Sequence, residues 1–295
     1  MKNFSNYFKK EKWAKILLLS WAFLLPSVLL YAGSIKDVNQ SVKQVQSVER
    51  PFQFAIVGDN RDGEKVYTQL MKAAVGRKPD FLVNLGDMIP HPHEREWQAF
   101  FEISKQMDLP FFPVVGNHDV GTTARGAEIY RKQFSLPGGE TYYAFRAGRV
   151  LFVILDSEEG KGRIIKRQRS WLEDTLLSSE ETFKFVFLHR PLFLPKNSLK
   201  TGHALDKYPI ERDDLHKLFL KAKVKAVFAG DDHRYDRRVK DGILYLISGG
   251  GGAPLTAFEE SGGYFHYVWI SVQKERIAGE AVDLEGKVQD RFVIE

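Results

Sequence analysis

Cysteine is absent from this 295-residue chain. Its absence excludes disulfide bonds, thiolate zinc sites, a cysteine nucleophile and a lipid-modified N-terminal cysteine. The chain also lacks a P-loop, a GxGxxG dinucleotide fingerprint, an HExxH motif and a GxSxG nucleophile elbow. Repeats and low-complexity tracts are missing as well. With 43% hydrophobic and 27% charged residues, the composition is that of a globular protein.

The positive charge is concentrated at the N-terminus. The formal net charge is +5, and four of these charges fall within residues 1–32. The rest of the chain is therefore almost neutral, and no nucleic-acid partner is predicted.

Residues 16–32 form an uncharged, apolar run behind a lysine-rich start. This layout predicts a hydrophobic helix over residues 1–32, either a signal peptide or a signal anchor. Cleavage after Ala32 would place Leu30 where a small residue is usual, so we favour the anchor. In both cases we expect an exported protein: a membrane-anchored domain outside the cytosol, or a secreted or periplasmic one if the leader is cleaved. The polar residues 33–50 are interpreted as a linker.

Residues 51–295 are predicted to form one α/β domain. Short runs rich in Val, Ile and Phe predict strands at 52–57, 80–85, 111–115, 149–155, 183–188, 225–229 and 242–248. Helical spacing of apolar residues predicts helices at 64–75, 94–107, 166–177 and 210–221. This alternation indicates layered sheets with helices outside, and residues 235–295 are predicted to form consecutive strands.

Polar side chains follow five of the predicted strands directly. The sequences at these strand ends are GDNR (58–61), GDM (86–88), GNHD (116–119), HRP (189–191) and GDDH (230–233). Ligands of α/β sheets bind beyond the carboxyl ends of the strands, so these side chains can converge in one crevice. Carboxylates mixed with imidazoles favour Mn, Fe or Zn. We also expect the glycines before Asp59, Asp87, Asn117 and Asp231 to make sharp turns.

The same series of motifs resembles the calcineurin-like metallophosphoesterase superfamily, and its last motif is similar to the purple-acid-phosphatase-like branch. The family pattern is GDxH, GDxxxG, GNH[DE], His and GHxH, and the resemblance spans Phe52 to about Arg238. It implies a four-layer α/β/β/α sandwich with two divalent metal ions, and hydrolysis of phosphate esters.

The resemblance also implies a role for each matching residue. Asp87 would bridge both ions, Asp59 and His233 would complete the first site, and Asn117 and His189 would bind the second ion. Asn117 would also lie against the substrate. His118 would donate a proton or contact phosphate, with Asp119 orienting its ring.

Two positions depart from the family pattern. Arg61 replaces the His of GDxH, and Asp231 replaces the first His of GHxH. Arg61 cannot bind a cation, whereas Asp231 can join the second site. Arg61 either contacts the substrate phosphate or pairs with Asp231 or Asp62 in a weakened or one-metal site.

The sequence thus predicts an exported, metal-dependent phosphoesterase acting on small-molecule phosphate mono- or diesters. The alternative is a degenerate binding protein that kept the fold with weak or no catalysis. Two further features stay open at this stage. His91 and His93 either offer substitute ligands or lie in a solvated loop, and residues 193–209 form a long insertion that can wall the cleft.

Overall fold

The computed structural model describes residues 35–48, 51–105, 107–274 and 276–295. The apolar segment predicted within residues 1–32 lies outside the described residues. Within the described ranges, no helix is both long and apolar enough to cross a membrane.

The strands agree closely with those predicted. They are β1 (Phe52–Val57), β2 (Phe81–Asn84), β3 (Phe111–Pro113), β4 (Tyr143–Ala147), β5 (Val150–Ile154), β6 (Phe183–Leu188), β7 (Ala226–Ala229), β8 (Tyr235–Lys240), β9 (Ile243–Ser248), β10 (His266–Val272), β11 (Ile277–Asp283) and β12 (Val288–Ile294). Only β4 was not anticipated. The final five strands confirm the strand-rich character predicted for residues 235–295.

Among the described residues, the α-helices are the four predicted within the domain and three others. They are α1 (Val38–Gln46), α2 (Glu64–Gly76), α3 (Glu94–Ser104), α4 (Asn117–Val120), α5 (Ala124–Gln133), α6 (Lys166–Ser178) and α7 (Pro209–Lys221). Helix α1 corrects the interpretation of residues 33–50 as a linker. Val38 and Val45 lie seven residues apart on one helical face and are buried with the core, so this segment packs on the domain.

Two six-stranded mixed sheets form the framework. The first has the order β12-β11-β10-β1-β2-β3, with β1, β2 and β3 parallel and β10 antiparallel to β1. The second has the order β4-β5-β6-β7-β9-β8, with antiparallel strands at both edges. The parallel strands of each sheet deliver their carboxyl ends to one edge, where ligand sites of α/β proteins form.

Phenylalanine side chains fill the space between the sheets. Phe54 of β1 meets Phe152 of β5 edge-on, with ring centroids 5.4 Å apart. Phe112 of β3 stacks on Phe145 of β4 at 3.8 Å. The edge-on geometry is the more favourable of the two, while the close stack shows how tightly the rings are packed. The two sheets therefore pack face to face through an aromatic core.

Helices cover the outer faces of the sheets. Leu172 of α6 and Phe219 of α7 pack with residues of β5, β6 and β7 in a second apolar cluster. The phenylalanines between the sheets belong to a different cluster, so this one lies on the outer face. On the other sheet, the Arg77 guanidinium that follows α2 lies 4.3 Å from the Trp269 ring centre of β10. The mixed α/β architecture with two sheets confirms this part of the predicted fold, while the predicted N-terminal hydrophobic helix lies outside the described residues.

Candidate metal centre

Three residues from different strand ends form a compact ligand cluster. Asp59 follows β1, Asp87 follows β2 and His233 follows β7, and one ligand atom of each lies within 4.8 Å of the other two. All three side chains are buried. Two carboxylates and an imidazole at this spacing suit a divalent cation such as Mn, Fe or Zn.

The His233 ring is oriented for ligation. Its Nδ1 donates to the carbonyl oxygen of Pro254 at 2.7 Å, so Nε2 carries the lone pair. Nε2 is buried, lies 3.6 Å from Asp59 Oδ1 and has no hydrogen-bond partner among the described residues. Burial lowers the pKa of His233, which keeps the ring in the neutral form that binds metals. A cation between Nε2 and the carboxylates would satisfy this orphaned atom.

A second group of ligand atoms surrounds His189, which follows β6. Its Nε2 lies 3.2 Å from Asn117 Oδ1, 3.3 Å from Asp87 Oδ1 and 3.8 Å from Asp231 Oδ1. Its Nδ1 donates to the Leu85 carbonyl oxygen at 2.8 Å. The ring is fully buried, which lowers its pKa, but the carboxylates of Asp87 and Asp59 raise that pKa to about 9. An Nε2 atom facing only oxygen atoms fits a site built for a cation.

The three aspartates themselves make the turns at the strand ends. Asp59, Asp87 and Asp231 have φ angles of 58°, 54° and 64°, in the left-handed region that aspartate tolerates better than most residues. This corrects the expectation that the preceding glycines all turn the chain. Of those glycines, only Gly86 has a positive φ. At Gly116, a Cβ atom would collide with Asp87 Oδ1, so that glycine is required by close packing.

Backbone hydrogen bonds tie these turns to one another. The Asp231 N–H donates to the Asp59 carboxylate at 3.1 Å, and the Asp59 N–H donates to the Gly86 carbonyl at 2.9 Å. Burial, the largest cause, raises the pKa of Asp59 well above its usual value, and the neighbouring carboxylates of Asp87 and Asp231 add to this shift. Such crowding of acidic groups favours a bound cation.

His118 lies at the rim of the centre. Its Nδ1 donates to the Pro90 carbonyl oxygen at 2.7 Å, and its Nε2 is 3.9 Å from Asp87 Oδ2. Its side chain is 32% exposed, so a substrate can reach it. The backbone N–H of His118 donates to Asp87 Oδ1 at 2.9 Å, which links the rim to the Asp87 carboxylate.

Asp119 does not orient the His118 ring, so that expectation is wrong. The Asp119 carboxylate is fully buried and accepts backbone N–H groups from Asp87, Met88 and Gly116, each at 2.9 Å. Burial and the nearby Asp87 raise its pKa to about 8, but both oxygens accept N–H donors in the manner of a carboxylate. The reason is geometric: in the short helix α4, the Asp119 side chain points back at the turn after β2, whereas His118 faces the cleft.

Arg61 reaches the centre but does not pair with Asp231. Its Nη1 donates to Asp62 Oδ2 at 2.6 Å, and its Nε lies 3.5 Å from Asp87 Oδ2. The predicted pair with Asp62 is therefore present, and the predicted pair with Asp231 is not, because other cations surround Asp231. The Nε atom is buried without a hydrogen-bond partner among the described residues, which leaves a donor beside the proposed bridging carboxylate.

Sequence reasoning missed two cations at Asp231. Lys200, in the loop between β6 and α7, donates from Nζ to Asp231 Oδ1 at 3.1 Å. Arg190 places Nη1 4.0 Å from Asp231 Oδ2 while it forms a bidentate pair with Glu158. Although burial raises it, the pKa of Asp231 is held below its usual value by His189, Lys200 and Arg190. The only signal in the sequence was the length of the insertion, and the structure brings that insertion to the site.

His91 and His93 do not join the centre. Both are exposed, and His91 faces Glu96 at the start of α3. The interpretation of this stretch as a solvated loop before a helix is confirmed.

Comparisons with known proteins agree with this geometry. The family model for calcineurin-like phosphoesterases matches residues 32–235. The serine/threonine-protein phosphatase CPPED1 of Danio rerio is 30% identical over 216 residues, which are 67% of this chain and 69% of that protein. The human protein of the same name is 29% identical over 60% of this chain and 62% of its own length, so the chain spans about two thirds of these relatives.

Solved structures share the fold at low sequence identity. The purple acid phosphatase PPD1 from yellow lupin (Lupinus luteus) seeds has a TM-score of 0.73 and 19% identity, covering 84% of this chain and 54% of that one. A dimetal phosphatase from Danio rerio has a TM-score of 0.60 and 14% identity, covering 82% of this chain and 98% of that one.

Proposed function

This chain belongs to the calcineurin-like phosphoesterase family, and we propose that this phosphoesterase hydrolyses phosphate mono- or diesters with two divalent metal ions. The observation that carries the proposal is the buried Nε2 of His233. It faces the carboxylates of Asp59 and Asp87, and no hydrogen bond within the described residues satisfies it.

The ligand sets follow from the two groups of atoms. Asp59 and His233 would hold the first ion, and Asp87 would be shared between the two ions. Asn117, His189 and Asp231 would complete the second site. Oxygen ligands mixed with imidazole nitrogens support Mn, Fe or Zn as the metals.

The protein groups around the ions divide the chemistry between them. Bound divalent ions supply an activated water and a clamp on the phosphoryl oxygens. His118 keeps a proton on Nδ1 through the Pro90 carbonyl, so the doubly protonated, cationic ring would pass its Nε2 proton to the leaving alkoxide and become neutral. General acid catalysis of this kind contributes roughly 10²–10⁴-fold. Asn117 positions the substrate beside His118, and Asp119 fixes the backbone that carries Asp87.

Arg61 binds the substrate phosphate in this proposal. Its Nε lies next to Asp87, at the edge where a phosphoryl group would approach, and it lacks a hydrogen-bond acceptor among the described residues. A guanidinium matches two phosphoryl oxygens well. The ion pair with Asp62, whose side chain is 45% exposed, orients the other end of the Arg61 fork.

The test uses the full chain stripped of metal with a chelator. Turnover of p-nitrophenyl phosphate and of bis-p-nitrophenyl phosphate is measured before and after addition of Mn²⁺. We expect no turnover without metal and recovery with it, and the preferred ester sets the bond class. Well-folded protein with neither bound metal nor turnover would contradict the proposal.

The names of the matched relatives suggest a third substrate for the same assay. CPPED1 is described as a serine/threonine-protein phosphatase, so a phosphoserine or phosphothreonine peptide belongs beside the small esters. Release of phosphate from the peptide faster than from the small monoester would make phosphoproteins the substrate class. The reverse result would favour small molecules.

We also propose that residues 1–32 carry the domain out of the cytosol and anchor it in a membrane. The support is the uncharged run over residues 16–32 behind five lysines. Protease added outside intact spheroplasts of a bacterial host would then degrade the domain. A chain lacking residues 1–32 would be protected, and protection of the full chain would contradict the proposal.

The second candidate is a degenerate scaffold that binds without efficient catalysis. It is favoured by the cations from the chain itself at the proposed ligands, Arg61 at Asp87 and Lys200 at Asp231. The same metal assay separates the candidates, because a scaffold of this kind needs neither ions nor turnover.

A further inference from the structure

Lys200 binds the oxygen atom that the second metal ion would need. Asp231 Oδ1 is the oxygen that faces His189, 3.8 Å from its Nε2, and the same Oδ1 accepts the hydrogen bond from Lys200 Nζ. Asp231 Oδ2 points instead towards Arg190. An ammonium group therefore occupies the approach of a divalent ion to the one ligand of this site that departs from the family pattern.

The loop that carries Lys200 is fastened on both sides of it. On one side, the buried Arg234 donates to Asn197 Oδ1 at 3.0 Å. On the other side, Arg190 donates to the carbonyl oxygen of His203, and Arg190 is itself held by Glu158. Ser198 is buried and accepts the Lys200 N–H at 3.0 Å. Lys200 is therefore positioned by the fold rather than being a freely moving surface lysine.

The charges of Lys200 and Asp231 explain how this pair affects binding of the second metal ion. Asp231 brings a negative charge where the family pattern has a neutral imidazole, and Lys200 brings a compensating positive charge. Like charges at a few ångströms repel strongly when they are shielded from water. A divalent ion beside Asp87, Asn117 and His189 would have to displace the Lys200 ammonium from Asp231 or bind next to it. The cluster of Asp59, Asp87 and His233 does not contain Asp231, and the cation beside it is Arg61, whose Nε lies 3.5 Å from Asp87 Oδ2 without a hydrogen bond among the described residues.

We propose that Lys200 is a built-in competitor for the second metal ion, which makes the two metal sites unequal: the first ion binds tightly and the second weakly. This inference rests on the metal centre proposed above and concerns how that centre is loaded. In this proposal, the insertion between β6 and α7 controls how readily the second ion binds.

Calorimetric titration of the metal-free full chain with Mn²⁺ tests the inference without an activity readout. For the wild type we expect one tight ion and a second ion bound at least tenfold more weakly. Lys200→Met is expected to strengthen the second step about tenfold or more and to leave the first within about twofold. Lys200→Arg keeps the charge and should keep the unequal sites. Lys196→Met, an exposed lysine of the same loop, is the matched control and should match the wild type.

Two results would overturn the inference: equal affinities in the wild type, or a second step that Lys200→Met leaves unchanged or weakens. Lys200→Gln serves as a second neutral variant if Lys200→Met does not fold. The outcome is separable from the proposed hydrolysis. If Lys200→Met strengthens the second Mn²⁺ step as expected but the wild type has no turnover, the role of Lys200 stands and the proposed hydrolysis is rejected. If the wild type hydrolyses esters but Lys200→Met leaves the Mn²⁺ isotherm unchanged, the proposed hydrolysis stands and the role of Lys200 is rejected.

Discussion

The carboxylate of Asp119 accepts the backbone N–H of Asp87 at 2.9 Å and thereby fixes the turn that carries the proposed shared metal ligand. Asp87 sits in the left-handed region with φ of 54°, and Asp119 also accepts the next N–H, that of Met88. A residue two positions after the Asn of the GNHD motif therefore acts on the turn after a different strand. Its role is positioning.

Asp119→Ala should destabilise the fold and weaken metal binding together. Three buried N–H groups would lose their acceptor, and each such loss costs about 1–3 kcal/mol, so we expect a loss of about 3 kcal/mol or more in the free energy of unfolding. Asp119→Asn retains one acceptor oxygen and should lose less. Urea unfolding and Mn²⁺ titration measure both effects, with the exposed Asp108→Ala as control. Unchanged Mn²⁺ affinity in a folded Asp119→Ala chain would exclude the positioning role.

His118→Ala should remove the proton donor and leave the metals in place. We expect turnover to fall roughly 10²–10⁴-fold on an ester with a poor leaving group, since such a leaving group needs the proton most. Bound metal per chain should stay at the wild-type level, because Nδ1 of His118 bonds to Pro90 and not to a ligand. His91→Ala, which changes an exposed histidine outside the metal centre, is the control. Loss of metal in His118→Ala would make it a ligand instead.

Arg61→Ala should raise KM and leave metal content unchanged. If the guanidinium contacts the substrate phosphate, losing a charged hydrogen bond of about 1.5–3 kcal/mol raises KM about tenfold or more. If Arg61 serves only to pair with Asp62 and Asp87, its removal should change metal affinity and leave KM near that of the wild type. Steady-state kinetics beside metal titration distinguish the two, with Arg61→Lys as the variant that keeps the charge.

Stability should fall below pH 6.5 because of a histidine outside the metal centre. Burial lowers the pKa of His266 from 6.5 to about 4, and its ring bonds to Ser248 and to the Tyr264 carbonyl. Between these pH values the unfolded chain takes up a proton that the folded chain does not. The stabilisation is therefore complete above pH 6.5 and is lost as the pH falls towards 4, by about 3 kcal/mol.

Urea unfolding of the wild type and His266→Gln at several pH values measures this contribution. The variant should be less stable at pH 7 but should lose less stability on acidification than the wild type. His203→Gln, at an exposed position, should follow the wild-type profile. Parallel pH profiles for the wild type and His266→Gln would show that His266 does not titrate in this way.

The sequence predicted elements well where apolar residues are dense. Helix α2 and strand β1 were placed to within one residue. Helix α2 repeats its buried residues at helical spacing, and β1 is an almost continuously buried apolar run. Helix α5 was missed because only Gly126, Ile129 and Tyr130 are buried in its ten residues. Strand β4 was missed because it has no continuous apolar run: Arg146 is exposed within it, and its pairing with β5 depends on a hairpin at Gly148, which has a positive φ.

The site was predictable in its ligand positions and not in its long-range contacts. Asp59, Asp87 and His233 follow strands directly, so the topology alone brings them together. Lys200 comes from an insertion thirty-one positions before Asp231, and no local pattern points to their contact. The direction of the Asp119 side chain is likewise set by the turn it closes, which residue order does not reveal.

We propose that His233 and its neighbouring carboxylates hold a metal ion needed for ester hydrolysis. The most direct measurement compares bound Mn²⁺ and turnover in the same samples of wild-type and His233→Ala protein. We predict that the variant stays folded, binds the first ion at least about 100-fold more weakly and loses turnover in proportion. A folded His233→Ala chain with wild-type metal content and wild-type turnover would contradict the proposal that His233 holds a metal ion needed for hydrolysis.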